Sequence, residues 1–334
     1  MMSFWKCLIR PGATALVAAA FMNSPAAGQA AENVAVRLSF TPFAVHIPVY
    51  VAKAKGFYER NGLNVDIRPG RGSSFAAMTV GSGQEEFGVA DAAAVVTARA
   101  KGVPVVAVAS FQQDNGAALF ATEKSGIQKI EDLKGKNVGL FTGSTTTIFL
   151  QALLKKHNMS LDDVKPVTVR SGTDLPLVLA GNIDAEVSIY SNELTAWKIE
   201  HPELKFRTWR MQELGFDTPG NSLVTNEDLI RTKPQVVRAF TAATVAGIEY
   251  AIKNPEEAVG ILVKSVPELK TNVEMAKWRS YMGSVTSSAT QKRGLGALDQ
   301  PKWETLVRLL REYGGLQTDV NLNELLRDQY RSLY

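Results

Sequence analysis

Two aromatic rings and a histidine stand within seven residues in Phe40-Thr-Pro-Phe-Ala-Val-His46. Flat rings can sandwich a planar ligand or close over an aliphatic one, and an imidazole can donate or accept a hydrogen bond. The plainer role for Phe40 and Phe43 is as core. A second segment, Arg68-Pro-Gly-Arg-Gly-Ser-Ser74, joins the cation of Arg71 to Gly72, where backbone can approach closely, and to Ser73 and Ser74, whose amides would open a helix. Thr142-Gly-Ser-Thr-Thr-Thr147 repeats the device, with Gly143, Ser144 and Thr145 ahead of a helical pattern. Free amides at a helix start attract acceptor or negative atoms, although each serine also reads as an ordinary cap. Asp91 and the pair Asn192-Glu193 follow short apolar runs, where a carboxylate either caps the next helix or receives N–H groups from a ligand. Thr41, Gln112, Tyr190 and Asn221 complete the set of candidate contacts.

These residue types do not form a catalytic set. The chain has no Gly-x-Ser-x-Gly elbow, no His-Glu-x-x-His and no dinucleotide fingerprint. The glycine-rich turns lack the Lys-Ser/Thr pair of a phosphate loop. His157 and His201 lie among Lys and Glu residues with the pattern of a surface. Nucleophile, base and orienting group do not converge, so a binding protein without metal or cofactor is expected.

The elements that must position these loops alternate strand and helix. Val34–Phe40, Leu63–Ile67, Phe87–Ala90 and Val103–Ala109 read as strands. Helical patterns fall over Ile47–Asn61, from Ser73 to about Val80, and up to Ala100. The rhythm then restarts, with strands at Asn137–Phe141, Val167–Val169 and Ala185–Ile189. Helices are expected over Thr145–His157, Asp174–Ala180 and up to about Glu200. Strands separated by helices of about ten residues imply βαβ units, hence an α/β fold with mainly parallel sheets. After Asn221 the pattern turns mostly helical: Pro234–Lys253, Pro255–Ser265, Asn272–Met282 and Pro301–Tyr313. Open parallel sheets bind ligands at the carboxyl ends of their strands, and the candidate loops stand there.

The first thirty residues have the layout of a secretory signal: Lys6 and Arg10, an apolar run from Ala13 to Phe21, then Ser24-Pro-Ala-Ala-Gly-Gln-Ala30. The run is too short to span a bilayer, and cleavage is expected after Ala30. The one cysteine, Cys7, precedes the apolar run rather than ending it, so it is not placed as a lipid anchor. Cleavage leaves a chain without cysteine, which excludes disulfides, thiol catalysis and thiolate metal sites. Removing Lys6 and Arg10 takes the formal charge from +4 to +2. That balance, with no basic run, argues against nucleic acid.

Longer stretches carry a family resemblance. They are Pro48-Val-Tyr-Val-Ala-Lys-Ala-Lys-Gly-Phe-Tyr-Glu-Arg-Asn-Gly-Leu-Asn-Val65, Phe87-Gly-Val-Ala-Asp91, Arg99-Ala-Lys-Gly-Val-Pro-Val-Val106, Asp132-Leu-Lys-Gly-Lys-Asn-Val-Gly139 and Gly181-Asn-Ile-Asp-Ala185. Together they resemble the periplasmic solute-binding proteins of ABC importers, in the branch serving thiamine-pyrimidine precursors, riboflavin, sulfonates and nitrate. The resemblance implies a type II periplasmic-binding-protein fold, two lobes around a ligand cleft. Residues 31–120 would begin lobe one, 121–220 would form lobe two, and 221–334 would return to lobe one with the C-terminal helices. It also implies a monomer in the periplasm that closes on a small molecule and delivers it to an inner-membrane permease and ATPase.

Within that branch, pyrimidine-precursor binders carry Trp-Thr-Pro-Asn-x-x-His in the first loop. Here Thr41, Pro42 and His46 agree, Phe40 keeps a ring, and Phe43 stands where those proteins have Asn. Asn192 and Glu193 stand near the family's Asn and Glu, of which the Glu accepts from a ligand amine. A carboxylate in the cleft disfavours sulfonate and nitrate, while Arg71 would favour them. The expected ligand is therefore a planar nitrogenous heterocycle, with sulfonate or nitrate second. A pyrimidine-synthesising enzyme shares the fold, but it has a cysteine-rich segment beside a histidine that it sacrifices. A periplasmic sensor partner is the remaining alternative.

Overall fold

The computed structural model describes residues 1–2, 31–141, 144–170 and 173–332. The signal-like segment and Gly143 lie outside the described residues.

Ten strands form two five-stranded sheets. The first sheet has the order β2 (Leu63–Arg68), β1 (Glu32–Arg37), β3 (Phe87–Asp91), β10 (Asn221–Asn226), β4 (Val105–Ser110). The second has the order β7 (Lys165–Val169), β6 (Asn137–Phe141), β8 (Ala185–Ile189), β5 (Ala117–Thr122), β9 (Phe206–Arg210). β1 pairs in parallel with β2 and β3, and β10 is antiparallel to β3 and β4. The second sheet repeats this plan, with β6 parallel to β7 and β8, and β5 antiparallel to β8 and β9. Each sheet therefore has four strands in one direction and one reversed strand in the same place. The reversed strands are those that follow the two passages between sheets, at 111–116 and 211–220.

β5 and β10 are strands that the sequence reading does not place. Ala117-Ala-Leu-Phe-Ala-Thr122 is covered on both faces, so it lacks the alternation of a half-exposed strand. The helix expected over Ile47–Asn61 is broken into Ile47–Ala54 and Phe57–Arg60 because Gly56 takes φ of 68°. Pro234–Lys253 and Pro255–Ser265 begin at the prolines, whose fixed φ suits a first turn. Among the described residues no helix is long and apolar enough to cross a membrane.

The core of the first sheet is built on a ring stack. Phe87 lies 3.8 Å from Phe240 at 5°, and Tyr58 lies 4.8 Å from the same ring. Phe240 comes from the helix Pro234–Lys253, which crosses Ile47–Ala54 at Gly247. A Cβ at Gly247 would stand 2.3 Å from the Pro48 carbonyl oxygen. Helix propensity alone favours alanine over glycine by ~1 kcal/mol, but backbone cannot yield here as a flexible side chain would. Gly247→Ala is expected to destabilise the protein by about 1–3 kcal/mol through overpacking. Urea unfolding would show it as a lower midpoint at unchanged slope; an unchanged or raised midpoint would show that the crossing relaxes.

Candidate functional site

A cavity opens between the carboxyl ends of the two sets of strands, with ≈ 600 Å³ of unfilled space, part of it open to solvent. Phe40, Phe43, Gly72, Ser73, Asp91 and Asn221 line it from the first lobe. Ser144, Thr145, Asn192 and Glu193 line it from the second. Ser39, Phe141, Thr146, Ser188 and Ile189 also line it. They are absent from the sequence candidates: Phe141 and Ile189 are ordinary core types, and Ser39 and Thr146 are small polar residues without a distinguishing pattern. Ser188 had a signal in principle: it is a polar residue inside an apolar strand.

The other candidates sit elsewhere. Thr41 and Ser74 are exposed. Arg71 is also exposed and lies 4.4 Å over the Phe75 ring. Tyr190 is half-buried under the Arg210 guanidinium, 4.4 Å from its ring. His46 is buried behind Phe43, ring to ring at 4.9 Å, with Nε2 3.0 Å from the Ser39 hydroxyl. Its Nδ1 accepts the Phe43 amide at 3.3 Å, so the ring braces the loop from inside. Burial pushes its pKa down to about 3, which keeps it neutral. Gln112 lies behind Asn221 and accepts from its backbone and side-chain N–H groups at 3.2 and 2.7 Å.

The aromatic loop is held by a distant helix. Glu274, in Thr271–Met282, accepts the Ala44 amide at 2.7 Å and pairs with Lys277 at 2.8 Å. The same helix touches the π-helical turn Tyr190–Leu194 that carries Glu193. Phe40 meets Phe141 edge to face at 6.4 Å, so rings from both lobes bound the cavity.

The polar lining is acidic. Asp91 is 4% exposed and caps its helix by accepting the Ala93 amide at 2.9 Å, so it both caps and faces the cavity. Burial pushes its carboxyl up to about 7, against the pull of that amide and of the Thr145 hydroxyl. Glu193 accepts from the Ile189 amide at 3.2 Å and from the Asn192 amide group at 2.7 Å. Burial, then the Asp174 carboxylate, raises its pKa. Behind it lies Glu186, 1% exposed, whose oxygens have no well-formed hydrogen bond and only the Ser188 hydroxyl near them. Burial, then Asp174 and Glu193, pushes this carboxyl well up. Gly139 is its cross-strand neighbour, and a Cβ there would stand 2.9 Å from a Glu186 oxygen, so glycine leaves the acid its room. Among the described lining residues none is Lys, Arg or His. Nor does a side chain cap the helix Ser73–Gly81, whose start at Gly72 and Ser73 lines the cavity.

Asp91 and His46 bend stability in opposite directions with pH. A folded Asp91 keeps its proton up to about 7 while an unfolded one releases it near 3.8, so its contribution falls as pH rises through that window. Folded His46 refuses a proton that the unfolded chain takes below 6.5, so its contribution falls as pH drops from there toward about 3. Asp91→Asn removes only the first slope. The variant should gain on the parent by up to ~1.4 kcal/mol per pH unit between pH 4 and 7, read by denaturant unfolding. A constant difference across that range would mean that Asp91 is ionised in the folded protein.

Comparison with known proteins agrees with this architecture. Residues 44–258 match the family model described as NMT1/THI5 like. The riboflavin-binding protein RibY of Chloroflexus aurantiacus is 23% identical over 313 residues, covering 92% of this chain and 88% of that one. The 4-amino-5-hydroxymethyl-2-methylpyrimidine phosphate synthase THI13 of Saccharomyces cerevisiae is 25% identical over 270 residues, 77% of this chain and 78% of its own. Among solved structures, a Bordetella bronchiseptica RB50 protein superposes with a TM-score of 0.74 at 20% identity, covering 91% of this chain and 96% of that one. The alkanesulfonate-binding protein SsuA of Xanthomonas axonopodis pv. citri gives 0.67 at 15%, covering 88% and 97%. At those identities the likeness is one of fold, that of periplasmic binding proteins. With its family model matched over well over half its length, the chain belongs to the NMT1/THI5-like family.

Proposed function

We propose that this protein is the exported binding component of an ABC importer. It takes a small planar nitrogenous ligand, a thiamine-pyrimidine precursor or related heterocycle, between its lobes and delivers it to a permease and ATPase. The lobes divide at the two passages between sheets. The observation that carries the ligand choice is the lining itself: aromatic rings, Asp91 and Glu193, and no cation. Rings favour a flat partner, and buried carboxylates favour a ligand that brings N–H groups. The printed names of two sequence relatives point the same way, one to riboflavin and the other to an aminopyrimidine phosphate.

A sulfonate or nitrate is the second reading. The uncapped amides at Ser73 favour it, and two carboxylates oppose it. The synthase names among the relatives raise an enzymatic reading. His46 argues against it, because its ring is turned inward onto Ser39 and Phe43 rather than into the cavity. Any ligand should be recovered chemically unchanged after incubation.

A thermal-shift panel of 4-amino-5-hydroxymethyl-2-methylpyrimidine, riboflavin, taurine and nitrate tests the choice, since binding raises stability by mass action. A shift with a heterocycle is expected, and a shift with taurine or nitrate alone would overturn the reading. Glu193→Gln should weaken an amine-bearing ligand by about tenfold or more, the scale of one charged hydrogen bond, and leave taurine unaffected.

A further inference from the structure

The amide of Asn221 has one determined orientation, and Gln112 determines it. Gln112 is 2% exposed and lies in the first passage between sheets, while Asn221 opens β10 at the end of the second. The Asn221 backbone N–H can only donate, so the Gln112 atom 3.2 Å from it must be Oε1. The far side of the same carboxamide agrees. The Ser284 hydroxyl gives its only hydrogen to the Tyr281 carbonyl at 2.7 Å, so it can only accept from Gln112 Nε2 at 3.5 Å. With Oε1 fixed, the Asn221 side-chain atom 2.7 Å away must be the donor Nδ2. Turning Asn221 over would set two acceptors against each other.

Asn221 Oδ1 therefore lies on the side of the amide away from Gln112, where it is buried without a hydrogen-bond partner. An unmatched buried acceptor costs about 1–3 kcal/mol, so its natural complement is a donor brought by something else. Asn221 lines the cavity and is the cross-strand partner of Asp91, which lines it too. Gln112 packs closely on the Gly220 backbone: a Cβ on Gly220 would stand 2.5 Å from the Asp114 carbonyl oxygen and 3.0 Å from Gln112 Oε1.

We propose that Gln112 is a positioning residue for ligand selection: it locks the Asn221 carboxamide with Oδ1 toward the cavity as an acceptor, so that the protein selects ligands presenting an exocyclic amino group beside Asp91. This rests on the reading of the cleft as a site for donor-bearing heterocycles. One N–H of such an amino group meets Asn221 at the joint between lobes, and the other meets Glu193 in the second lobe. Ligand recognition and lobe closure then share one contact.

Calorimetric titration with 4-amino-5-hydroxymethyl-2-methylpyrimidine and with its analogue lacking the amino group tests this in the parent, Gln112→Leu and Gln112→Glu. The parent should prefer the amino compound. Gln112→Leu should lower that preference by about tenfold, one hydrogen bond's worth, while affinity for the analogue stays within about twofold. Gln112→Glu keeps the acceptor and should restore the preference. Equal weakening of both compounds in Gln112→Leu, or an unchanged preference, would overturn the proposal. If the parent binds neither compound, the ligand reading fails by itself, and side-chain NMR then decides the positioning role. The Asn221 Nδ2 protons should exchange slowly in the parent and in Gln112→Glu and fast in Gln112→Leu. Equal exchange in all three would overturn it.

Discussion

Everything at the cleft depends on how the chain crosses between its sheets. The two passages, 111–116 and 211–220, run beside each other and are stitched by their own backbones. Phe111 and Gln112 both donate to the Asn221 carbonyl at 2.8 and 3.0 Å, and Gly220 donates back to Gln112 at 3.2 Å. The Asn115 amide group adds bonds to Phe216 and Thr218 at 2.5 and 3.1 Å. The first-lobe residue nearest this seam that also faces the cavity is Asn221, so a ligand there acts where the lobes are joined. Closure driven by a ligand requires contacts that differ between open and closed states, and a cavity lined from both lobes supplies them.

The same cavity is costly to build. Asp91, Glu193 and Glu186 are held away from water with fewer partners than their oxygens can accept. Their raised pKa values express that cost: burial favours the neutral carboxyl, until an N–H brought by a ligand bonds it and favours the ionised, accepting form. Such sites persist in proteins where function needs the unsatisfied groups, and the ring stack at Phe240 and the long helix over it provide stability elsewhere. Lys277 tempers Glu193, and it stands on the helix that also fixes the aromatic loop. Movement of that helix would change both walls together.

How much of this was legible in the sequence follows from the range of each interaction. Periodicity and caps exposed the parallel strands and most helices, because those signals are local: Ala185–Ile189 and Pro234–Lys253 lie where the pattern puts them. β5, β9 and β10 were not legible, because a short strand buried in a sheet or set at its edge is defined by neighbours far along the chain. The cleft candidates at strand ends were readable from topology, and Phe40, Asp91 and Glu193 do meet in one cavity. Arg71 reads as a cleft cation until the Phe75 ring beside it is seen to hold it outside. Glu186 looks like a surface residue in sequence; only the register that sets it opposite Gly139 reveals a buried acid. The bond between Gln112 and Asn221 spans 109 residues and has no local trace.

The central claim is that the cleft takes donor-bearing planar ligands because its unsatisfied groups are acceptors. Native mass spectrometry of the purified chain against an equimolar mixture of the aminopyrimidine, riboflavin, taurine and nitrate tests this most directly, since all compete for one site. The account predicts an adduct with the mass of a heterocycle and none with that of taurine or nitrate. An adduct with taurine or nitrate in preference to both heterocycles would contradict it.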